Sequence, residues 1–136
     1  MATLPTDIVS RMLAKDAFSA WLGITVKKVE LGCVIVSMTV RADMLNGFGR
    51  CHGGIPFALA DSALAFAANT HGKVAVAIDN QISYPAPISE GDTLIAEAHE
   101  LGRSNKLGFY SVTVTRGDGI KVALFKGTVY ITEKDC

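Results

Sequence analysis

Charge is scarce in this sequence and has no net sign. The 136 residues include 13 Lys and Arg against 13 Asp and Glu, and charged residues make up only 19% of the chain. A nucleic-acid-binding protein would be expected to carry a basic face, and a disordered chain would combine low hydrophobicity with high net charge. We therefore expect a folded protein that does not bind nucleic acid. The length suits one domain, residues 1–136.

Cysteine is also rare. Cys33, Cys51 and Cys136 are odd in number and form no Cys-x-x-Cys motif, which favours free thiols in a reducing compartment. The N-terminal segment carries charges every few residues and lacks the apolar core of a signal peptide. No apolar run approaches the roughly eighteen residues that a membrane helix needs. We expect a cytoplasmic protein.

Several motifs for metals, cofactors and nucleophiles are missing. No pair of His, Cys, Asp or Glu has metal-ligand spacing on one element, so we expect no metal. A dinucleotide fingerprint would need glycine where His52 stands, and a phosphate-binding loop would need Gly-Lys-Ser/Thr where Ile55 follows the glycines. Cys51 beside His52 is a weak nucleophile candidate, because adjacent residues seldom face each other and no orienting acid is nearby.

Apolar residues, in contrast, make up 49% of the chain, which leaves few polar residues to cover a free surface. This composition is a first indication of a homo-oligomer. Periodicity predicts an N-terminal helix that begins at Thr6 and ends at Gly23, and a second helix over residues 55–69. Six strands are predicted over residues 24–30, 33–41, 74–84, 93–102, 107–116 and 120–132, the last two joined by a hairpin at Gly117-Asp118-Gly119.

The second helix is apolar on nearly every side, since its only polar residues before Asn69 are Asp61 and Ser62. Such a helix is buried, and the sheet is the only large partner available to it. The sequence therefore predicts an α+β fold in which an antiparallel six-stranded sheet wraps around one central helix.

Asp61 in the middle of this helix has two interpretations. It could be a structural carboxylate, either paired with a basic residue or on a narrow exposed stripe. The apolar neighbours favour a functional role, because burying a charge is costly and perturbed carboxylates cluster at functional sites. Burial would also raise the basicity that a general base needs.

Gly53 and Gly54 open the same helix and are either part of a tight turn or an oxyanion site. Free N–H groups at a helix start carry partial positive charge, and glycine lets a ligand oxygen approach them. His52 could orient this loop, donate a hydrogen bond or simply pack. Gly53 and Asp61 are eight residues apart, about 12 Å along a helix. If both act on one carbonyl, Asp61 must come from a second subunit, which predicts an active site at a dimer interface.

At this point the residues resemble a family. The run Asn46-Gly47-Phe48-Gly49-Arg50-Cys51-His52-Gly53-Gly54, followed by Ala60-Asp61-Ser62-Ala63, is similar to the Asn-x-x-Gly-x-x-His-Gly-Gly…Ala-Asp signature of hotdog-fold acyl-CoA thioesterases, phenylacetate-pathway (PaaI-type) branch. The resemblance implies that Asp61 activates water or attacks the thioester. It also implies that the Gly53 N–H stabilises the oxyanion, that Asn46 positions the water or Asp61, and that His52 supports the loop.

The resemblance also suggests where coenzyme A binds. The turn Gly102-Arg103-Ser104-Asn105-Lys106 stands where similar enzymes contact the coenzyme's phosphates, with Arg103, Ser104 and Lys106, and Arg50 besides, as candidates. On composition alone it is equally a polar hairpin turn. Asn80, Gln81 and Tyr84 resemble a strand that borders the acyl pocket, although Tyr84 could equally belong to the core. Gly54 completes the set of binding candidates.

The sequence thus indicates a cofactor-independent acyl-CoA thioesterase, a dimer of dimers that acts on (hydroxy)phenylacetyl-CoA or another small acyl-CoA. The alternative from a different class is a hotdog module that binds or senses acyl-CoA without hydrolysing it. A hotdog hydratase is a further candidate, but His52 and Asp61 are poorly spaced for its Asp/His pair.

Overall fold

The computed structural model describes residues 3–136. These residues form three α-helices, a short 3-10 helix at Ala42–Met44 and six strands. The helices are α1 (Pro5–Lys15), α2 (Ala17–Leu22) and α3 (Gly54–Asn69). The strands are β1 (Thr25–Glu30), β2 (Cys33–Thr39), β3 (Lys73–Ser83), β4 (Thr93–Arg103), β5 (Leu107–Arg116) and β6 (Lys121–Asp135). The predicted second helix and the six predicted strands are present, with ends that differ by a few residues.

Helix α3 is the centre of the molecule. It lies against the inner face of the sheet and contacts β2 to β6, and Leu59, Ala63 and Leu64 have no exposed surface at all. Alternate residues of the strands complete this core, for example Val34, Val36, Ala96, Ala98, Val112 and Val114. Each fully buried leucine contributes about 2 kcal/mol of hydrophobic stabilisation. The predicted α+β arrangement, a sheet wrapped around one apolar helix, is confirmed.

The strands pair antiparallel in the order β1-β2-β4-β5-β6-β3. Strand β3, which follows α3 in the chain, therefore lies at an edge and pairs only with β6 among the described strands. Two of its apolar side chains, Val76 and Ile78, are 49% and 57% exposed. The predicted hairpin between β5 and β6 is confirmed, with Gly119 at a φ of 85°.

The N-terminal segment differs from the prediction of a single helix capped by Thr6. Helix α1 begins after Leu4 with Pro5 in its first turn, and the chain leaves helical geometry at Asp16 (φ −95°, ψ 88°). The Asp16 side chain then accepts hydrogen bonds from the backbone and hydroxyl of Ser19, so it caps a separate helix α2. Gly23, in left-handed geometry at φ 78°, ends α2 as predicted.

Within residues 3–136, no helix combines the length and the apolar character needed to cross a membrane.

Candidate active site

Asp61 lies in the second turn of α3, on the side of the helix that the sheet covers least. Its neighbours on that side, Ala58, Ser62 and Ala65, are also only partly buried, whereas Leu59, Ala60, Ala63 and Leu64 are fully covered. Burial raises the pKa of the Asp61 carboxyl above its ordinary value of 3.8, the hydrogen bond from Asn80 lowers it, and the negative charge of Asp16 raises it again. The net shift is upward, as a general base near neutral pH requires.

Asn80 is the side chain that holds Asp61 in place. It lies on β3, and its Nδ2 donates to Asp61 Oδ1 at 3.0 Å. Its Oδ1 is buried and has no hydrogen-bond partner within residues 3–136. Gly127 on β6 stands directly opposite Asn80, and a Cβ there would lie 2.5 Å from Asn80 Oδ1. The sequence suggested that Asn80 borders the acyl pocket, and the structure places it against the carboxylate itself.

The start of α3 is built tightly around its two glycines. The Tyr84 hydroxyl donates to the Gly53 carbonyl at 2.8 Å, and a Cβ on Gly53 would come within 3.2 Å of Tyr84 Cζ and Oη. A Cβ on Gly54 would lie 3.0 Å from His52 Nδ1. Gly53 has ordinary helical angles (φ −58°, ψ −24°), so close packing, and not a left-handed turn, accounts for glycine there. Tyr84 is 50% exposed and so is not a core residue.

His52 leaves one N–H at this helix start free. Its Nδ1 accepts a hydrogen bond from the Gly54 N–H at 2.8 Å, so this nitrogen is unprotonated and the ring proton of the neutral form is on Nε2. The Gly53 N–H has no acceptor within residues 3–136. Because the partial positive charge of the helix is concentrated at this end, the Gly53 N–H is suited to bind a carbonyl oxygen or an oxyanion.

Asn46 shapes the loop in front of the helix. Its Oδ1 accepts from the backbone N–H of Phe48 at 2.9 Å and from that of Arg50 at 3.2 Å, and its own N–H donates to the Arg50 carbonyl. Both hydrogen bonds of Asn46 Oδ1 are therefore made within the loop. Asn46 Nδ2 has no acceptor within residues 3–136. The structure shows no contact between Asn46 and Asp61 of the same chain. Arg50 donates to Ser89 Oγ at 3.0 Å.

Arg103 and Lys106 line one cavity of about 680 Å³ together with Lys73, Asn105 and Tyr130. Arg103 and Lys106 provide the positive charge of this cavity, since Lys73 pairs with Asp135, and the acid Glu133 also lines it. Two cations on one turn suit a polyanion. Ser104 closes the turn instead: its N–H donates to the Leu107 carbonyl, and its Oγ accepts from the Leu107 N–H at 3.1 Å. This hydroxyl is used within the turn itself.

The predicted residues thus fall into three separate groups. Asp61 and Asn80 form one, His52, Gly53, Gly54 and Tyr84 form the second with the Asn46 loop beside it, and the basic turn forms the third. Eight residues of helix, about 12 Å, separate Gly53 from Asp61. Cys51 is not an activated thiol, since burial and then the charge of Asp92 raise its pKa to about 11.

The sequence analysis did not predict the hydrogen bonds that link Ser62, the neighbour of Asp61, to helix α2. Ser19 Oγ lies 2.9 Å from Ser62 Oγ and donates to Asp16 Oδ2 at 2.6 Å. The sequence signal for these contacts was an aspartate followed three residues later by serine, which is a helix-capping pattern inside what periodicity predicted as one continuous helix. The sequence analysis also did not predict the pair between His71 Nε2 and Glu100 Oε1, which lie 2.7 Å apart. The Tyr110 hydroxyl donates to the same Glu100 oxygen at 2.7 Å.

Comparison with known proteins agrees with this geometry. The thioesterase superfamily matches residues 48–123, from the loop before α3 into β6. Acyl-coenzyme A thioesterase PaaI of Escherichia coli K12 is 40% identical over 116 residues, which cover 85% of this chain and 83% of that protein. The solved structure of the E. coli PaaI protein superposes with a TM-score of 0.94, at 36% identity, over 96% of this chain and 95% of that one.

A second relative was solved with a ligand. The structure of smu.793 from Streptococcus mutans UA159 bound to acetyl CoA has a TM-score of 0.80 and 29% identity, over 83% of this chain and 91% of that one. Identity to PaaI extends over most of both chains, and the fold is the one that the signature around Asn46, His52 and Asp61 implied. This chain therefore belongs to the thioesterase superfamily as a hotdog-fold thioester hydrolase of the acyl-CoA thioesterase PaaI type.

Proposed function

We propose that the protein hydrolyses arylacetyl-CoA thioesters such as phenylacetyl-CoA and its ring-hydroxylated forms. The observation that supports this most is the pair of groups on α3: a half-buried carboxylate with a raised pKa at Asp61, and a free N–H at Gly53. PaaI is an acyl-coenzyme A thioesterase and the S. mutans relative binds acetyl CoA, which supports an acyl-CoA substrate.

The proposed chemistry needs only groups that the chain supplies. The thioester oxygen accepts a hydrogen bond from the Gly53 N–H, so the carbonyl carbon becomes more electrophilic and the oxyanion is stabilised. Asp61 either takes a proton from a water that attacks this carbon or attacks it directly, after which water hydrolyses the acyl-enzyme anhydride. In the first route, collapse of the tetrahedral intermediate breaks the C–S bond, and the proton that Asp61 took from water passes to the leaving sulfur. In the second route, the C–S bond breaks as the anhydride forms, and the thiolate takes up the proton that Asp61 gives up after water has hydrolysed the anhydride. Both routes give the acid and the coenzyme A thiol. We propose no metal or redox cofactor.

The two halves of the proposed site come from two chains. Within one chain the Gly53 N–H and the Asp61 carboxylate lie too far apart to act on one carbonyl, and antiparallel association of two α3 helices would bring each start beside the other's middle. The exposed Val76 and Ile78 on the edge strand β3 support pairing at this edge. In this arrangement Asn46 Nδ2 and His52 Nε2 would face the partner's Asp61 or the attacking water.

A second interface would make the dimer of dimers. The outer face of the sheet, away from α3, carries large apolar side chains that are 40–59% exposed, namely Leu101, Phe109, Leu124 and Tyr130. Association through this face would cover them. We place this tetramer in the cytoplasm. There the three free thiols of each chain, Cys33, Cys51 and Cys136, would stay reduced.

The basic cavity at the β4–β5 turn is the proposed site for the coenzyme A phosphates. Arg103 and Lys106 would pair with the phosphate oxygens, and Lys73 from the start of β3 faces the same cavity. Ser104 shapes the turn that carries them.

The proposed acyl site lies one turn along α3 from Asp61. A cavity of about 490 Å³ has an apolar wall made by Ala65 of α3, Ile8 and Met12 of α1, and Ala75 of β3, and Arg11 and Lys15 of α1 also line it. Ala65 follows Asp61 by four residues, so it lies on the same side of the helix about 6 Å further along. A ring attached to the thioester carbonyl through one methylene could enter this space.

The test is a panel of arylacetyl-CoA and aliphatic acyl-CoA substrates with continuous detection of thiol release. We expect Asp61→Ala and Asp61→Asn to lower kcat/KM by about a hundredfold or more, since both remove the base or nucleophile. Asp43→Asn, which neutralises an exposed carboxylate, is the matched control and should keep wild-type activity. EDTA should not change the rate.

Two outcomes would contradict the proposal. Near-normal hydrolysis by both Asp61 variants would remove Asp61 from the mechanism. Binding of acyl-CoA by the wild-type protein without thiol release would favour the non-hydrolytic binding module instead.

A further inference from the structure

The N-terminal helices make a direct polar contact with the catalytic helix beside Asp61. Ser19 of α2 has no exposed surface, and its Oγ lies 2.9 Å from Ser62 Oγ of α3. Ser62 is the next residue after Asp61. This pair of a buried and a partly buried hydroxyl fixes one turn of α3 relative to α2, because both groups would lose their hydrogen bond if the helices moved apart.

The hydrogen bond between the two serines runs from Ser62 to Ser19. Ser19 has a single hydroxyl proton, which it donates to Asp16 Oδ2 at 2.6 Å, a short distance typical of a charge-assisted hydrogen bond. The hydrogen bond between the two serines must therefore take its proton from Ser62. The chain of donors runs from Ser62 through Ser19 to the Asp16 carboxylate, which also accepts the Ser19 backbone N–H at 2.9 Å.

We infer that Asp16 is a positioning residue for the proposed reaction: through Ser19 and Ser62 it holds the turn of α3 that carries Asp61, and it places a second negative charge near that carboxylate. The inference rests on the proposed function of Asp61. Neither Asp16 nor Ser19 lies within residues 48–123, the part of the chain that matches the superfamily, so membership of the family does not assign them this role.

Among the described groups around Asp61, Asp16 is the charged neighbour. Strand β3 contributes the neutral Asn80, while the adjacent Asp79 is exposed on the strand. Helix α2 carries no charged side chain, and from α1 Arg11 and Lys15 line the cavity at Ala65. Within residues 3–136, Asp16 is the one charge that shifts the pKa of Asp61, and it raises it. Removing the Asp16 charge should therefore make Asp61 easier to ionise.

The direction of the expected shift in the pH profile depends on the charge state that Asp61 needs. Both proposed mechanisms need Asp61 ionised, so the rate falls as the pH drops through the pKa of Asp61. With Asp16→Asn that pKa decreases, and the acid limb of kcat/KM against pH should move to lower pH by roughly 0.5 unit. Asparagine caps helices as well as aspartate does, so α2 should remain folded. Asp7→Asn, on the exposed side of α1, is the control with the same change in net charge.

Ser62→Ala separates the mechanical contribution from the charge. It removes the donor to Ser19 but leaves Asp16 and the α2 cap in place, so kcat should fall about three- to tenfold while the acid limb stays where it is. Asp16→Ser, with another good capping side chain, repeats the charge test if the asparagine variant folds poorly.

The outcomes distinguish this inference from the proposed function. If the wild-type protein releases no thiol from any acyl-CoA, the proposed function fails. If the wild type is active and Asp61→Asn is not, but Asp16→Asn and Asp16→Ser have the same acid limb as Asp7→Asn, then the role of Asp16 is refuted and the function stands.

Discussion

At the scale of single residues, the start of α3 is where a small change should matter most. In Gly53→Ala the new methyl group would meet the Tyr84 ring at 3.2 Å, so the ring must shift by a few tenths of an ångström and its hydrogen bond to the Gly53 carbonyl is weakened. The Gly53 carbonyl and the Gly53 N–H, the proposed oxyanion donor, belong to the two peptide units on either side of the Gly53 Cα, so a shift of this Cα would change the direction of the N–H. We expect kcat/KM to fall about tenfold or more and the free energy of unfolding to fall by about 1 kcal/mol.

The control for this prediction is Gly47→Ala in the preceding loop. A Cβ at Gly47 meets no atom within 4 Å, so activity and stability should both stay close to wild type. Tyr84→Phe should lose activity to a similar degree as Gly53→Ala, because it removes the same hydrogen bond. Wild-type activity in both Gly53→Ala and Tyr84→Phe would show that the position of the Gly53 peptide does not matter for the reaction.

Single residues also show how far the sequence could predict the site. Asp61 and Gly53 were predicted because each breaks a local rule: a carboxylate in an apolar helix, and two glycines at a helix start. The hydrogen bond from Asn80 to Asp61 was beyond such an argument, since it depends on which strand lies beside α3 and on its register. Two irregularities in the pairing of β3 with β6, at residues 73–75 and 77–79, shift that register.

At the scale of elements, Gly127 of β6 leaves the space that the side chains of Leu64 on α3 and Asn80 on β3 fill. A Cβ there would overlap Leu64 Cδ1 and come within 2.5 Å of Asn80 Oδ1, both from elements that carry the site. Gly127→Ala should therefore lower the free energy of unfolding by about 1–3 kcal/mol, as overpacking does. It should also displace Asn80 from Asp61 and reduce kcat.

Gly102→Ala on β4 is the matched strand control, because a Cβ at Gly102 meets nothing within 4 Å. Thermal unfolding and thiol release should both separate the two variants. Equal stability of Gly127→Ala and Gly102→Ala would mean that α3 can move away from β6 at little cost, contrary to the packing described above.

Periodicity predicted the elements well where one hydrophobic pattern ran without interruption, as in α3 and β5. It failed at the N-terminus, where the apolar spacing continues across Asp16 although the backbone does not. The Asp16 side chain offers the Ser19 N–H and O–H a better acceptor than a continued helix would. Two helices then replace one, and α2 turns its Ser19 towards α3.

At the scale of the whole molecule, the proposal that two chains share each site predicts complementation between inactive variants. Gly53→Pro removes the N–H at a position whose φ of −58° suits proline, and Asp61→Asn removes the carboxylate. Each variant alone should be inactive. In a mixed dimer one of the two sites combines the intact Gly53 of one chain with the intact Asp61 of the other. Co-expression in equal amounts should therefore restore about a quarter of wild-type activity.

The same experiment can contradict the arrangement. If co-purified mixed dimers, separated by two affinity tags, show no more activity than either variant alone, both groups must act within one chain. Gly53→Pro carrying both affinity tags serves as the control, since no pairing of these chains contains an intact Gly53 N–H.

The order of the strands has a consequence for the timing of synthesis. Strand β3 is made directly after α3, yet its partner β6 is completed some fifty residues later, near the end of the chain. Until the ribosome has released the segment around Phe125 and Gly127, Asn80 has no strand to hold it against Asp61. Helix α3 therefore remains partly uncovered while the rest of the sheet is translated. Strand β6, the last to emerge, covers α3 and completes the surroundings of the Asp61 carboxylate.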